Sequence, residues 1–465
     1  MRKTAVILAV LLLSLAGAGF CRAVELETEG IRAFDNNLLT VTCEDGGRLT
    51  IEAFSGTIPL ENPVTDRRIG PGTTVIAWDG LSYGGEPVQK GRLTLRATLV
   101  CADRTTEQAE ITVETGSPKS AVVCCLPGTE AFFADGKTSI RIETAMSSEG
   151  TCEISIASGE NPSEEVWHYR SYSNAKEPLV AWWDGKDQKH KACAPGVYVI
   201  SAWSKMCPET VQTAEVTLLP EPLPPAELAV TGNLIPEDLD DDGAVWAALT
   251  APVAVGDGPE GRGLVIMNAK GAREGRAGTT ACRTAGVAVL EICGDGWVKV
   301  GAWRQSDGLY TEGYVKADKL RVVRPNTRYG AVVDKNAQTM TVYEHGKKIG
   351  KVMISTGRTT KEDRKADTHS GVFLLGTRME TFMQEGHIYS YPIRIDAYNL
   401  IHQIGYVREE GQRNFGEELA LLGSKASHGC IRVDARTTGE NQGVNAWWIW
   451  THLGHDTKII VTPEE

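Results

Sequence analysis

A six-residue run occurs twice in this chain, and its spacing limits the possible folds more than any other feature. Val75-Ile76-Ala77-Trp78-Asp79-Gly80 is echoed by Val180-Ala181-Trp182-Trp183-Asp184-Gly185, with Asp79 and Asp184 105 residues apart. A turn and a strand-like run follow each copy, Gly91-Arg92-Leu93-Thr94-Leu95 in the first and Gly196-Val197-Tyr198-Val199-Ile200 in the second. Cys101 and Cys207 then fall at matching places. Asp-Gly is a hairpin-turn dipeptide, because glycine tolerates positive φ. Arg48-Leu49-Thr50-Ile51-Glu52-Ala53 alternates apolar and polar residues as a half-buried strand does. A strand-rich repeat of about 100 residues predicts two β-sandwich domains, at 24–122 and 123–218. The tryptophan of each W-D-G reads as a core residue beside a tight turn, in preference to a platform for sugars.

With 465 residues the chain needs several cores. Its net charge of −12 argues against a nucleic-acid partner. Residues 219–243 read as a linker, opening with Pro220-Glu221-Pro222-Leu223-Pro224-Pro225, a semi-rigid spacer. Asp238, Asp240, Asp242 and Gly243 match the start of a calcium loop. Its twelfth position is Leu249 instead of glutamate, so a solvated acidic linker is expected. Residues 244–324 read as a small β-rich unit, marked by Gly296-Trp297-Val298-Lys299-Val300 and Gly313-Tyr314-Val315.

The N-terminus has the layout of a secretory signal peptide over 1–23. Arg2 and Lys3 precede the apolar run Ala5 to Ala18, and Cys21 and Ala23 are small residues at −3 and −1 of a cut after Ala23. The apolar run is too short for a membrane anchor, so no stable membrane insertion is expected after cleavage. Eleven cysteines suit an extracytoplasmic compartment. Cys282 and Cys293 are candidates for a local bridge, and the adjacent Cys124 and Cys125 would need different partners.

The chemistry is concentrated in Ser427-His428-Gly429-Cys430-Ile431-Arg432. Glycine before cysteine permits a tight turn. A thiol needs a base or a depressed pKa to attack as thiolate near neutral pH. His402, 28 residues upstream, is the candidate base, and Cys430 the candidate nucleophile. Backbone N–H groups at Gly429 and Cys430 are candidate oxyanion donors. Ser427 is expected to hydrogen-bond within the turn or to His402, and His428 to shape the site in preference to moving the proton. Arg432 either holds a substrate carboxylate or fixes the loop through an internal one.

S-H-G-C-I-R with the earlier Ile401-His402 resembles the active-site signature of the L,D-transpeptidase (YkuD-like) catalytic domain. Flanking runs from Tyr329-Gly330-Ala331-Val332-Val333-Asp334 to Thr457-Lys458-Ile459-Ile460-Val461 extend the resemblance over 327–465. It implies acyl transfer through a Cys430 thioester, with His402 as base and neither metal nor organic cofactor. The implied donor is the stem tetrapeptide of peptidoglycan, cut before its terminal D-alanine. The implied acceptor is the side-chain amine of a neighbouring stem, giving a 3→3 crosslink in the bacterial cell envelope. Rival readings are an L,D-carboxypeptidase that uses water and a non-catalytic wall-binding scaffold.

Three features depart from the family. Gln403 follows the histidine where the family often has glycine, and the 28-residue separation is long, so Gln403 to Lys425 reads as an inserted loop or short helix. His369 replaces proline in Thr368-His369-Ser370-Gly371 and is expected to be a surface-loop histidine. Ala446-Trp447-Trp448-Ile449-Trp450 is expected to pack a helix or strand onto the sheet. Upstream, W-D-G with G-V-Y resembles the Ig-like repeat of flagellar hook-capping (FlgD-type) proteins, and 244–324 resembles a bacterial SH3-like domain. The SH3-like resemblance implies a module that either binds wall peptides or only spaces the catalytic unit, and the Ig-like repeats are candidates for further wall contacts. The expected fold is therefore mainly β and multidomain: two Ig-like sandwiches, a small SH3-like barrel and a C-terminal β-rich catalytic domain.

Overall fold

The computed structural model describes residues 24–464 apart from 34, 36, 57, 61–62, 79, 82–86, 117, 119–120, 225, 359–365, 410–411 and 437–440, and at 58–59, 77, 409 and 412–413 it describes backbone alone. The signal segment with its Ala23 cut, Asp79, Pro225, Thr359-Thr360 and Glu410-Gly411 lie outside the described residues. The chain is mainly β and multidomain. It divides into two compact units. One is Met1–Ala121 with Met206–Thr210 and Arg408–Asn414; the other is Val122–Lys205, Val211–Val407 and Phe415–Glu465.

In the first unit, strands Glu25–Glu27, Asn37–Cys43 and Gly72–Trp78 form an antiparallel sheet. A second sheet runs in the order Ile58–Pro59, Gly47–Ser55, Gly91–Cys101, Thr106–Thr115, with Val64–Ile69 also paired to Gly47–Ser55. Alternate residues of both sheets, Leu39 and Val41 against Leu49, Ile51, Leu93 and Leu95, meet in one core. Trp78 is buried there, and its indole N–H donates to the Leu81 carbonyl at 2.9 Å.

In the second unit the same arrangement recurs. Val122–Pro127, Ile140–Met146 and Leu179–Trp183 make a three-stranded sheet, and Ala131–Phe132, Cys207–Leu218 (in this unit from Val211 on), Gly196–Ser204, Gly150–Ser158 and Glu165–Ser173 a five-stranded one. Trp183 is fully buried against Phe132 and Tyr198 of the opposite sheet, at ring distances of 5.5 and 5.3 Å. Its indole donates to Lys186 at 2.9 Å, the same three-residue reach as in the first copy. Gly80 and Gly185 take φ of +70° and +77°, the turn that the Asp-Gly pair requires. The W-D-G tryptophan is thus a core device, whereas Trp182, on the other face of its strand, is exposed.

Glu237, Asp238 and Asp240 of the acidic run are exposed in non-helical backbone, and a helix opens at its last residues, Asp242 and Gly243. Asp241 caps α1 (Asp242–Thr250), its side chain accepting from the Gly243 and Ala244 N–H groups. Val245 and Leu249 of α1, with Ile235 before it, pack against Val332, Tyr343 and Ile460. Residues 253–323 form a seven-stranded antiparallel sheet around Leu264, Ile266, Val287, Val298, Val300 and Val315. The candidate bridge between Cys282 and Cys293 is not formed. Cys282 sits before strand Gly286–Ile292 and Cys293 after its far end, and every described cysteine is a free thiol.

The C-terminal sheet has eight strands, ordered Gly371–Leu374, Lys458–Val461, Tyr329–Asp334, Thr339–Glu344, Lys347–Ser355, Ile431–Val433, Leu400–Gln403, Ile393–Arg394. Helix α3 (Ala446–His452), capped by Asn445, lays Ala446, Ile449 and Trp450 on it, as its apolar run predicts. One core joins this sheet to its neighbours. Cys124, Leu126 and Ala145 of the second sandwich and Ala281 and Ala285 of the seven-stranded module share it with Val333, Val342, Ile354 and Ile459. Buried Arg378 bonds buried Glu143 at 2.6 Å, and the Leu374 N–H donates to Thr284 at 2.7 Å.

Candidate active site

Strand Ile431–Val433 lies between Lys347–Ser355, antiparallel, and Leu400–Gln403, parallel, with His402 opposite Arg432. Parallel neighbours need a long crossover. The residues between His402 and Cys430 provide it and include a short helix, α2 (Gly416–Leu421). Cys430 immediately precedes its strand. The turn before it depends on Gly429, whose φ is +120°. A Cβ there would come within 2.3 Å of Asn399 Oδ1 and 3.0 Å of the Asp367 carbonyl, so no larger residue fits.

Ser427 closes the turn on itself. Its hydroxyl donates to the Cys430 carbonyl at 2.6 Å and accepts the Gly429 N–H at 3.1 Å, so it bonds within the turn and not to His402. The Gly429 N–H, expected as an oxyanion donor, is therefore already engaged, and the Cys430 N–H is the one remaining from the expected pair. Buried Thr368 donates its hydroxyl to the Gly429 carbonyl at 2.7 Å and accepts the Gly357 N–H at 2.8 Å. His428 is exposed at the rim, where an Arg358 nitrogen meets its Nε2 at 3.1 Å.

His402 is buried, with Tyr389 and Phe382 rings at 4.9 and 5.6 Å, both edge to face. Its Nδ1 bonds the Gln403 carbonyl at 2.7 Å. A carbonyl only accepts, so Nδ1 carries the proton and Nε2 is left as the basic nitrogen. Burial pushes the imidazole pKa down to about 4, the Gln403 carbonyl opposing and Arg432 adding to the shift. Burial likewise pushes the half-buried Cys430 thiol up. The Leu400 backbone N–H lowers it, Asp396 raises it and Arg432 lowers it. Burial thus favours the neutral thiol and the neutral imidazole.

Arg432 is held internally. Its Nη1 meets both Glu418 oxygens, and its guanidinium lies 5.5 Å from the Tyr389 ring centre. Glu418 belongs to α2, so the crossover supplies the carboxylate that sequence reasoning left open.

Other residues went unrecognised. His369, expected on a surface loop, is buried, its Nδ1 2.7 Å from Asp396 Oδ2. The histidine is tolerated inside because a carboxylate takes its N–H. Asn399 walls Gly429, and buried Lys335 bonds the Thr368 carbonyl at 2.8 Å and Asp367 at 3.2 Å. The T-H-S-G departure was the only sequence trace of this network. Among the described residues, no group of three His, Cys, Asp or Glu side chains is placed to hold a metal ion.

Residues 328–461 match the model of the YkuD family, described as the L,D-transpeptidase catalytic domain. Among curated proteins, none matches the chain in sequence. Solved structures similar to it include an L,D-transpeptidase from Mycobacterium smegmatis, at 14% identity over 43% of this chain and 100% of that one, TM-score 0.23. Another, from Mycobacterium tuberculosis H37Rv, has 15% identity over 44% and 96%, TM-score 0.24. A third, the L,D-transpeptidase (residues 123–326) from Xylanimonas cellulosilytica, has 16% identity over 34% and 76%, TM-score 0.21. The match to the family model, together with the S-H-G-C-I-R turn, places residues 328–461 in the YkuD family of L,D-transpeptidase catalytic domains.

Proposed function

We propose that this chain is a secreted L,D-transpeptidase of the bacterial cell envelope that forms 3→3 crosslinks in peptidoglycan. The observation that carries the reading is a thiol on a glycine-dependent turn, one strand away from a buried histidine whose proton is fixed on Nδ1. The Cys430 sulfur attacks the carbonyl that precedes the terminal D-alanine of a donor stem while its proton passes to His402 Nε2. The Gln403 carbonyl accepts from Nδ1 and supports the imidazolium as it forms. The Cys430 N–H faces the oxyanion. The same proton leaves with the D-alanine amine, and the side-chain amine of a second stem then attacks the thioester, returning the thiol. Arg432, neutralised by Glu418, holds the loop and does not bind the donor carboxylate. No resident cofactor enters these steps. The upstream sandwiches and the seven-stranded module, read as Ig-like and SH3-like, contribute wall contacts.

The test is mass spectrometry of muropeptides after incubation with the mature protein and with Cys430→Ala. A 3→3 dimer that needs Cys430 supports the reading. Loss of D-alanine without dimer replaces it with a carboxypeptidase, and no Cys430-dependent product leaves a wall-binding scaffold.

A further inference from the structure

We propose that His369, Asp396 and Asn399 form a positioning chain that sets both the shape and the charge of the nucleophile turn. This rests on the reading of Cys430 as nucleophile. The chain can be followed atom by atom. His369 Nδ1 meets Asp396 Oδ2 at 2.7 Å. The other donors to that carboxylate are the Tyr398 and Asn399 backbone N–H groups, both at 2.7 Å on Oδ1, and Asn399 Nδ2, at 3.1 Å on Oδ2. The acceptor sites of Asp396 are thereby filled, and Asn399 is held by backbone and side chain together. Asn399 Oδ1 then stands against Gly429, and its Nδ2 reaches the Asp367 carbonyl at 3.4 Å. If Asn399 moved, the turn would lose the wall that fixes it.

The same chain carries charge to the sulfur. The charged side chains acting on Cys430 are Asp396, which opposes a thiolate, and Arg432, which favours one. His402 lies on the adjacent strand. An N–H from His369 draws on the Asp396 charge and so weakens its opposition. His369 also acts on Asp367, which Lys335 holds from the other side. Where the family has proline, this chain therefore has a donor that moderates the acidic group behind its nucleophile.

His369 is also where the seven-stranded module reaches the site. Trp303 and Gln305 line a small cavity with His369, Gly371 and Asp396, and Trp303 lies where a Cβ on Gly371 would be. The module thus backs the positioning chain directly.

The test follows alkylation of Cys430 by iodoacetamide against pH, read on the Cys430 peptide by mass spectrometry, beside turnover on muropeptides. His369→Leu should move the alkylation midpoint up by about one pH unit. Its kcat should fall by roughly 10–100-fold with KM little changed. Asp396→Asn should move the midpoint down, because it deletes the opposing charge, although it also lowers kcat. His369→Gln, which retains a donor, should stay near the wild type. Opposite shifts are not expected of a merely structural role. Midpoints that move the same way, or not at all, in His369→Leu and Asp396→Asn overturn the proposal. Where His369→Leu does not fold, a His369→Gln midpoint as low as that of Asp396→Asn overturns it equally. Opposite shifts without any Cys430-dependent product would retain the positioning chain and reject the transpeptidase reading.

Discussion

Glu418 and Arg432 form a buried ion pair in which one guanidinium nitrogen, Nη1, meets both carboxylate oxygens, at 2.9 and 2.8 Å. The arginine stands two residues beyond Cys430 and opposite His402, whereas the glutamate comes from the crossover helix α2. Glu418→Ala would leave the arginine charge buried without its partner, at about 3–5 kcal/mol. Urea denaturation of the purified variant is expected to show that loss, and turnover to fall with it. A midpoint unchanged from wild type would mean that the crossover is not fastened here.

Gly429→Ala addresses the turn itself. The added methyl meets Asn399 Oδ1 at 2.3 Å at a φ of +120°, so the turn must open. Turnover on muropeptides is expected to fall at least about 100-fold. Ser427→Ala, which removes one hydroxyl from the same turn, is expected to cost about 1–3 kcal/mol of stability by leaving the Gly429 N–H unpaired. Turnover assays and thermal melts of the two variants side by side check both outcomes.

The pH dependence follows from the buried base. His402 is neutral above about 4, so it remains competent well below the pH at which an ordinary histidine protonates. Values of kcat/KM for the donor stem, which report acylation and not the acceptor amine, are expected to hold within about twofold from pH 8 to pH 5, with no step near 6.5. Stability behaves differently. The folded pKa lies below the unfolded one, so the unfolded chain takes up the proton first, and folding weakens as pH falls from 6.5 towards 4. At pH 5 that amounts to about 2 kcal/mol, and rates should be normalised to the folded fraction by near-ultraviolet circular dichroism. A fall in the normalised rate centred near 6.5 would assign the proton transfer to a group other than His402.

Glu143 gives a second pH-dependent expectation. Burial pushes its carboxyl up, but Arg378 and Arg141 outweigh burial, and the net pKa is lowered. Its stabilisation is therefore complete above the unfolded carboxylate range, about 4.3, and is lost as pH falls through the lower folded value. Arg378→Met is expected to destabilise by about 3–5 kcal/mol at pH 7 and to lose less on acidification than wild type. Denaturant titrations at pH 7 and pH 4 compare the two proteins.

What could be read from sequence was chemistry that is local along the chain. The Gly429-Cys430 turn needs only its neighbours, and the W-D-G tryptophans are fastened three residues away, at Leu81 and Lys186. The acidic run at 238–242 was ambiguous because aspartates open both calcium loops and helices. Ala-Val-Trp-Ala-Ala-Leu after it favours the helix, and Asp241 caps it. Contacts between distant residues were not legible. Nothing near His369 points to Asp396, 27 residues on, and nothing near Arg432 selects Glu418 over Glu417. Cys282 and Cys293, a candidate pair by closeness in sequence, remain free thiols with a whole strand between them.

The Glu143–Arg378 pair bears on how such a chain can have been assembled. A genetic crossover at the proline-rich stretch would look harmless from composition, since it falls between apparent modules. It would part Arg378 from Glu143 and strip Cys124, Leu126 and Ala145 from the core beneath the catalytic sheet. Each half would inherit a buried charge and an open apolar face. Recombination is thus expected to transmit the second sandwich, the seven-stranded module and the catalytic domain as one block, and descendants to vary upstream of it.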